Sequence, residues 1–168
     1  MRHVMVVGGT LRDWADLTDR QWSDRVDELG AVAASAGVAW LTFRPYEPGD
    51  EIIALGAWNR QVQACCVIVD PSGDGRQRFA DAMGRLDPAV EVNEVSVAAA
   101  LYEPADSEPD LVVVLGPSTQ LPTSLVWELA YAELVFIPVE WSELGGGHLL
   151  AAMDDFASRR RRFGGLDE

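Results

Sequence analysis

Four consecutive arginines, Arg159 to Arg162, run into Phe163 and Gly164 near the end of this chain. A guanidinium grips phosphate in a two-pronged fork, and a glycine lets a backbone N–H approach an anionic oxygen closely, so the string could hold a phosphate or diphosphate. The same arginines could equally serve as favourable charge at the C-terminus of a helix, which needs no ligand. Gly73 and Gly75, in DPSGDGR, could form a phosphate loop ahead of a helix, but a lone Gly-x-Gly is ordinary strand-to-helix turn chemistry. His3 and His148 lie far apart with no cysteine or carboxylate at ligand spacing, so no metal site is expected. Ser118 and Ser124 lack a base motif and are not credible nucleophiles. Cys65 and Cys66 are neighbours near the start of an apolar run, where side chains alternate between faces, and read as two reduced core residues.

The elements that must position these residues alternate between apolar runs and helical periods, the pattern of a parallel sheet covered by helices. Strands are expected at His3 to Val7, Val38 to Phe43, Ala64 to Val69, Ala89 to Val92, Asp110 to Leu115 and Leu134 to Val139. Between Asp19 and Ala36 the residues Trp22, Val26, Leu29, Ala33 and Ala36 form one stripe on a helix that Gly37 stops. Further helices are expected around Ile52 to Val62, Gly75 to Leu86, Glu94 to Tyr102, Thr123 to Glu133 and Gly147 to Arg160. The 168 residues carry no repeat or linker and read as a single domain spanning 1–168.

Composition narrows the classes further. With 48% hydrophobic and 24% charged residues the chain is globular in type, and no stretch approaches the ~20 apolar residues of a membrane-spanning helix. The opening MRHVMVV has neither a long apolar region nor a small-residue cleavage site, so the cytoplasm is the expected compartment, and peripheral membrane association stays compatible with it. The net charge of −14 comes from acids spread along the chain and argues against nucleic-acid binding. The arginine run is the local exception.

The segment PDLVVVLGPSTQLPTSLVWELAYAELVFIPVEWSEL, from Pro109, resembles the C-terminal signature of the cis-prenyltransferases, the undecaprenyl diphosphate synthase family. Pro109, Asp110, Leu111, Leu121, Leu125, Trp127, Leu129, Ala130, Tyr131, Glu133, Leu134, Phe136 and Trp141 stand at the family's spacing, and the likeness continues into RRFGG at Arg161. HVMVVGGTLRDWA resembles the opening strand and loop, and GVAWLTF at Gly37 the second strand. Between Tyr46 and Glu108 the chain is shorter than the family usually is. The resemblance implies an α/β fold with one mainly parallel sheet of about six strands flanked by helices, shortened in the middle.

The departures from the family pattern fall on its catalytic positions. The aspartate that holds magnesium diphosphate is replaced by Gly9, and the phosphate cradle after it reads Thr10, Leu11, Arg12 and Asp13. Magnesium needs oxygen ligands, and Gly9 offers no side chain. Asp13 puts an anion where the family has a cation. The glycine-histidine phosphate motif is replaced by Thr18 to Trp22, and the serine-threonine-glutamate-asparagine loop by Glu47 to Asp50. Two arginines for isopentenyl diphosphate correspond to Val114 and Gln120, and the adjacent serine and asparagine to Pro122 and Thr123.

What the resemblance leaves intact is Arg162-Phe163-Gly164, the family's Arg-x-Gly motif, which crosses the dimer into the neighbouring active site. The chain thus resembles the Nogo-B receptor-like, non-catalytic subunit of a heteromeric cis-prenyltransferase. That implies a catalytic cis-prenyltransferase partner in a heterodimer or heterotetramer, isopentenyl diphosphate shared with it, and Mg2+ in the partner's site with no cofactor bound by this chain. Trp127, Tyr131, Glu133 and Trp141 fall in the family's dimer region, although core packing accounts for the aromatics and a solvated helix end for Glu133 equally well. The alternatives are a stand-alone enzyme acting on another prenyl or terpene-like diphosphate, and a homodimeric pseudoenzyme that senses a ligand.

Overall fold

The computed structural model describes residues 1–48, 53–117 and 119–163, with the backbone course alone for 160–163. Strand β1 (His3–Val7) is buried at every residue and lies inside a six-stranded sheet. It pairs in parallel with β2 (Trp40–Arg44) on one side and β5 (Leu111–Leu115) on the other. Strand β4 (Cys65–Val69) extends the sheet beyond β2, and β6 (Glu133–Ile137) beyond β5, both in parallel. One antiparallel strand, β3 (Trp58–Val62), closes the β4 side, giving the order β3-β4-β2-β1-β5-β6. Strands buried on both faces are mostly apolar, which is why β1 after His3, and β5 throughout, read as continuous apolar runs.

The pleat sends alternate residues to two cores. Val4, Val6, Leu41, Phe43, Val67 and Val113 face helices α2 (Asp19–Ser35) and α6 (Gly146–Phe163). Met5, Val7, Ile68, Val112 and Val114 face α3 (Gly75–Arg85) and α4 (Glu94–Tyr102). The expected stripe on α2 is seen in Val26, Leu29 and Ala33. Gly30 extends it, because a Cβ there would stand 2.8 Å from both Val62 and Val67. Thr18 starts α2 through a reciprocal cap with Gln21, and Asn93 starts α4 in the same way with Ser96.

Three expected elements differ. No helix forms in the described part of Ile52 to Val62, where β3 runs instead, joined to β4 by a turn in which Gln63 takes φ 53°. As an edge strand it buries only Val62, while Arg60 reaches α2 at Ser23 and Asp27, so its sequence shows no apolar alternation. Ala89 to Val92 is irregular rather than a strand. Asp87 folds that segment by accepting from the Ala89 N–H, and Val90 and Val92 stay exposed. The helix expected over Thr123 to Glu133 shrinks to α5 (Glu128–Tyr131), because the Thr123 carbonyl accepts from Gly75 N–H and Glu133 already begins β6. A short helix α1 (Leu11–Ala15) follows β1. Among the described residues no helix is long and apolar enough to cross a membrane.

Candidate functional site

In a parallel sheet the loops beyond the strand C-termini build the ligand crevice. Here β1 delivers Gly8, Gly9 and Thr10 to that edge. Gly9 takes φ 70°, and a Cβ on it would stand 2.9 Å from the Trp141 ring. Asp13 is committed locally: its carboxylate accepts from the Thr10 N–H at 2.7 Å and the Thr10 hydroxyl at 2.8 Å, capping α1. The nearby Arg25 donates to the Trp141 carbonyl at 2.7 Å and lies over the Trp141 ring, 4.4 Å from its centroid. The cleft of about 270 Å³ at this loop is walled by Asp13, Asp16, Gln21, Arg25, Glu140 and Trp141. Its three carboxylates outnumber its one cation, so the cleft disfavours diphosphate. Magnesium does not fit these residues either, since Gly9 supplies no oxygen and no cluster of three ligating side chains occurs among the described residues.

The loops after β2, β4 and β5 enclose a larger cleft of about 620 Å³, lined by Glu47, Pro48, Asp74, Arg76, Thr123 and Val126 among others. Tyr46 donates to the Gln120 carbonyl at 2.7 Å, and a Cβ on Gly73 would press within 2.6 Å of the Pro48 backbone, so all three loops are pinned together. Gly73 and Gly75 therefore serve close packing. The first N–H groups of α3 are taken by the Asp74 carboxylate, at 2.8 Å from Arg76 N and 3.2 Å from Gln77 N, which leaves that helix start capped by an anion of its own. Val114 is buried under α3 and α4, and Pro122 is buried, so neither presents a group to phosphate. Of the loop Glu47 to Asp50 only Glu47 and Pro48 are described; Gly49 and Asp50 lie outside the described residues, as does Ser118.

Behind this cleft lies a charge network that sequence reading missed. Arg44, the last residue of β2, bonds Asp70 at 2.8 Å and Glu128 at 2.8 Å, and Arg78 of α3 reaches the same Glu128 oxygen at 3.0 Å. Glu128 and both arginines are buried. Burial works to raise the Glu128 carboxyl, but the Arg44 and Arg78 guanidiniums overcome it and hold it at about 2. Burial likewise works against Asp70, and Arg44 again wins, holding it below the usual carboxylate range. The Tyr102 hydroxyl is pushed up by burial and by Glu128. The network ties the ends of β2 and β4 to α3 and α5. A charged residue ending a strand that is otherwise apolar, as Arg44 does, was the available signal.

The residues singled out from the sequence separate into two groups. Trp127, Tyr131 and Glu133 come together at the N-terminal end of β6. The Trp127 ring packs 6.0 Å from Phe79 and 5.4 Å from Tyr131, and its Nε1 donates to Glu108 at 2.8 Å. Tyr131 is half exposed and donates to Glu94 of α4. Trp141 stands apart from them at the other end of β6. It is only 4% exposed and is consumed by this chain's own core, 5.3 Å from Trp14, 5.9 Å from Trp22 and 5.8 Å from Phe43, which leaves it nothing to present to a partner.

Helix α6 follows β6 and runs back along it. It starts where the Gly146 N–H donates to Glu28 of α2 at 2.6 Å, and by Arg159 it has reached the first residues of β6. Arg159 donates to the Glu133 carboxylate at 3.4 Å and to the Leu134 carbonyl at 3.3 Å. Arg162 and Phe163 continue the helix beyond that point. Their side chains, and Gly164 altogether, lie outside the described residues. The crevice is at the opposite end of the sheet, one five-residue strand away, a span of about 16 Å at about 3.3 Å per residue.

Comparison with known proteins agrees with this architecture. Residues 53–164 match the prenyltransferase family model described as "Putative undecaprenyl diphosphate synthase". Isoprenyl transferase 2 of Bradyrhizobium diazoefficiens is 40% identical over 85 residues, 51% of this chain and 33% of that protein. Isoprenyl transferase 1 of Streptomyces coelicolor is 44% identical over 102 residues, 54% of this chain and 36% of that protein. The matched part thus spans about a third of the length of these relatives. The crystal structure of a probable undecaprenyl diphosphate synthase from Campylobacter jejuni superposes with a TM-score of 0.65 over 98% of both chains at 19% identity, a likeness of fold. With more than half of its residues inside the family match, and with the sheet to go with it, this chain belongs to the undecaprenyl diphosphate synthase family.

Proposed function

We propose that this chain is the non-catalytic subunit of a heteromeric cis-prenyltransferase and lends Arg162, Phe163 and Gly164 to the isopentenyl diphosphate site of a catalytic partner. The partner supplies the carboxylate and Mg2+ that hold the allylic diphosphate, and the tail adds guanidinium charge and a backbone N–H toward the second diphosphate. Polyprenyl diphosphate is the product of the pair. The observation that carries this reading is the course of α6. It ends at the strand N-termini, a full strand length from the chain's own crevice, which supports a site for Arg162 on another chain. The acidic cleft beside Gly9 supports the same division of labour.

The test is incorporation of labelled isopentenyl diphosphate by this chain reconstituted with a catalytically complete family member from the same organism. Arg162→Ala is expected to lower the rate at least about tenfold, a loss of about 1.4 kcal/mol in transition-state binding. Equal rates for wild type and variant overturn the proposal. The cleft of about 620 Å³ bordered by Arg76 favours a second reading, a stand-alone enzyme for another prenyl diphosphate. Turnover of an allylic diphosphate by the purified chain alone would establish it.

A further inference from the structure

Helix α3 runs past two cavities on its face of the sheet. Its cap Asp74 and its first-turn Arg76 wall the larger cleft, while Asp81 and Arg85, further along, wall a second cavity of about 280 Å³ floored by Thr42 of β2 and Ile68 of β4. At about 1.5 Å per residue, Arg76 and Arg85 stand about 14 Å apart, so the two spaces follow one another along the helix.

Between them sits the network of Arg44, Glu128 and Arg78. Glu128 accepts at 3.3 Å from the N–H of Val126, which walls the larger cleft, and Arg44, Asp70 and Arg78 wall the smaller cavity. The three side chains fill the junction, none of them more than 6% exposed. Arg78 also donates to the Leu101 carbonyl at 3.2 Å and lies 5.1 Å from the centre of the Tyr102 ring, which ties the partition to α4.

A phosphate-headed lipid held at the strand C-termini gains from burying its hydrocarbon, and the space continuing inward along α3 is where the undersides of sheet and helices meet. In this chain that way in meets paired charges. Hydrocarbon offers them no hydrogen bond, and threading past would part the ions inside the core and leave buried charge uncompensated. The smaller cavity beyond is a poor host as well, since Arg44, Asp70, Arg78, Asp81, Arg85 and Glu103 all line it.

We infer that Arg44, Arg78 and Glu128 form a barrier that excludes prenyl hydrocarbon from this chain, dividing one lipid-sized space into two polar ones. The barrier belongs to the chain's own core and owes nothing to the arginine tail. It gives the non-catalytic reading, on which it does not depend, a second cause: with phosphate ligands restored at Gly9 and Asp13, the chain would still have no place for the tail of an allylic substrate.

The experiment is equilibrium dialysis of the purified chain against labelled farnesol, a neutral alcohol of three prenyl units, and against isopentenol, which has one. The alcohols lack the diphosphate, so binding reports hydrocarbon entry alone. Wild type is expected to hold neither. Removing one member of the network strands the others, so the variant replaces the set together, Arg44→Ala, Arg78→Leu and Glu128→Leu, while Asp70 keeps the Ser72 N–H at 3.0 Å. It is expected to bind farnesol at least about tenfold above the wild-type limit, and to gain far less for isopentenol, because affinity grows with the apolar area covered. If urea unfolding shows that set to be unfolded, Arg44→Met, Arg78→Met and Glu128→Met replaces it with side chains that keep the volume but yield to hydrocarbon, and the expectation is the same. Farnesol binding by wild type as tight as by a variant overturns the inference. So does a folded variant that gains nothing, or one that gains equally for both alcohols, the mark of a local void rather than an opened passage. None of these outcomes bears on Arg162, whose incorporation assay reads the partner's site.

Discussion

Replacing Glu128 by glutamine removes the single buried charge that Arg44 and Arg78 share. The substitution keeps the shape of the side chain but leaves two buried guanidiniums with only Asp70 between them. Breaking a buried pair in this way costs about 3–5 kcal/mol. The same size follows from the carboxyl itself, which is held at about 2 against an ordinary 4.5; that gap corresponds to roughly 3 kcal/mol at about 1.4 kcal/mol per pH unit. Because the folded value is the lower one, the stabilisation is fully present above pH 4.5 and is lost as the pH falls toward 2. Urea unfolding of wild type and Glu128→Gln across that window checks both statements. At pH 7 the variant should be less stable by about 3 kcal/mol, and the difference should shrink as the wild-type carboxylate is protonated. A difference below about 1 kcal/mol at pH 7, or one that ignores pH, would refute the reasoning, since it would mean the arginines find equal solvation without the carboxylate.

Three further outcomes are expected. His3 is buried and neutral, with Nδ1–H donating to the Ser107 carbonyl at 2.7 Å and Nε2 accepting from Thr42 at 2.8 Å; burial pushes it down to about 4 from 6.5. The unfolded chain therefore binds the extra proton, stability falls by about 3 kcal/mol as the pH drops from 6.5 to 4, and His3→Gln should flatten that limb of the unfolding profile. Gly9→Asp returns the family's carboxylate to β1 but forces a side chain onto φ 70° and against Trp141; a cost of about 1–3 kcal/mol in thermal unfolding and no Mg2+-dependent turnover are expected. Arg159→Ala breaks exposed pairs with Asp155 and Glu133 and should cost less than about 1 kcal/mol, so any larger loss of incorporation in the reconstituted pair would report on the tail rather than the fold.

Much of the sheet was legible because buried parallel strands are mostly apolar. β1 after His3, and β5, announce themselves as unbroken apolar runs, and α2 by its stripe. β3 was hidden because an edge strand needs to bury only one residue, and Arg60 and Gln61 suit a helix equally well. The helix expected before β6 failed for a different reason. Its first residue is spent on loop contacts, the Thr123 hydroxyl donating to the Gly73 carbonyl and the Thr123 carbonyl accepting from the Gly75 N–H, some fifty residues earlier in the chain. The departure from the family pattern at Gly9 and Asp13 could be read from the sequence, since a missing side chain is missing in any fold. The Arg44–Glu128 network could not, because its members are 84 positions apart and only the completed sheet brings them together.

Helix α6 also acts as a ruler. The Arg162 backbone takes both its height and its bearing from a rod fixed at Gly146 and again at Arg159. One residue inserted between those anchors would swing the Arg162 backbone about 100° around the rod, whereas four would return it to within about 40° and merely shift it by about 6 Å. On the heteromeric proposal, delivery of Arg162 is a matter of rotational phase before it is one of reach.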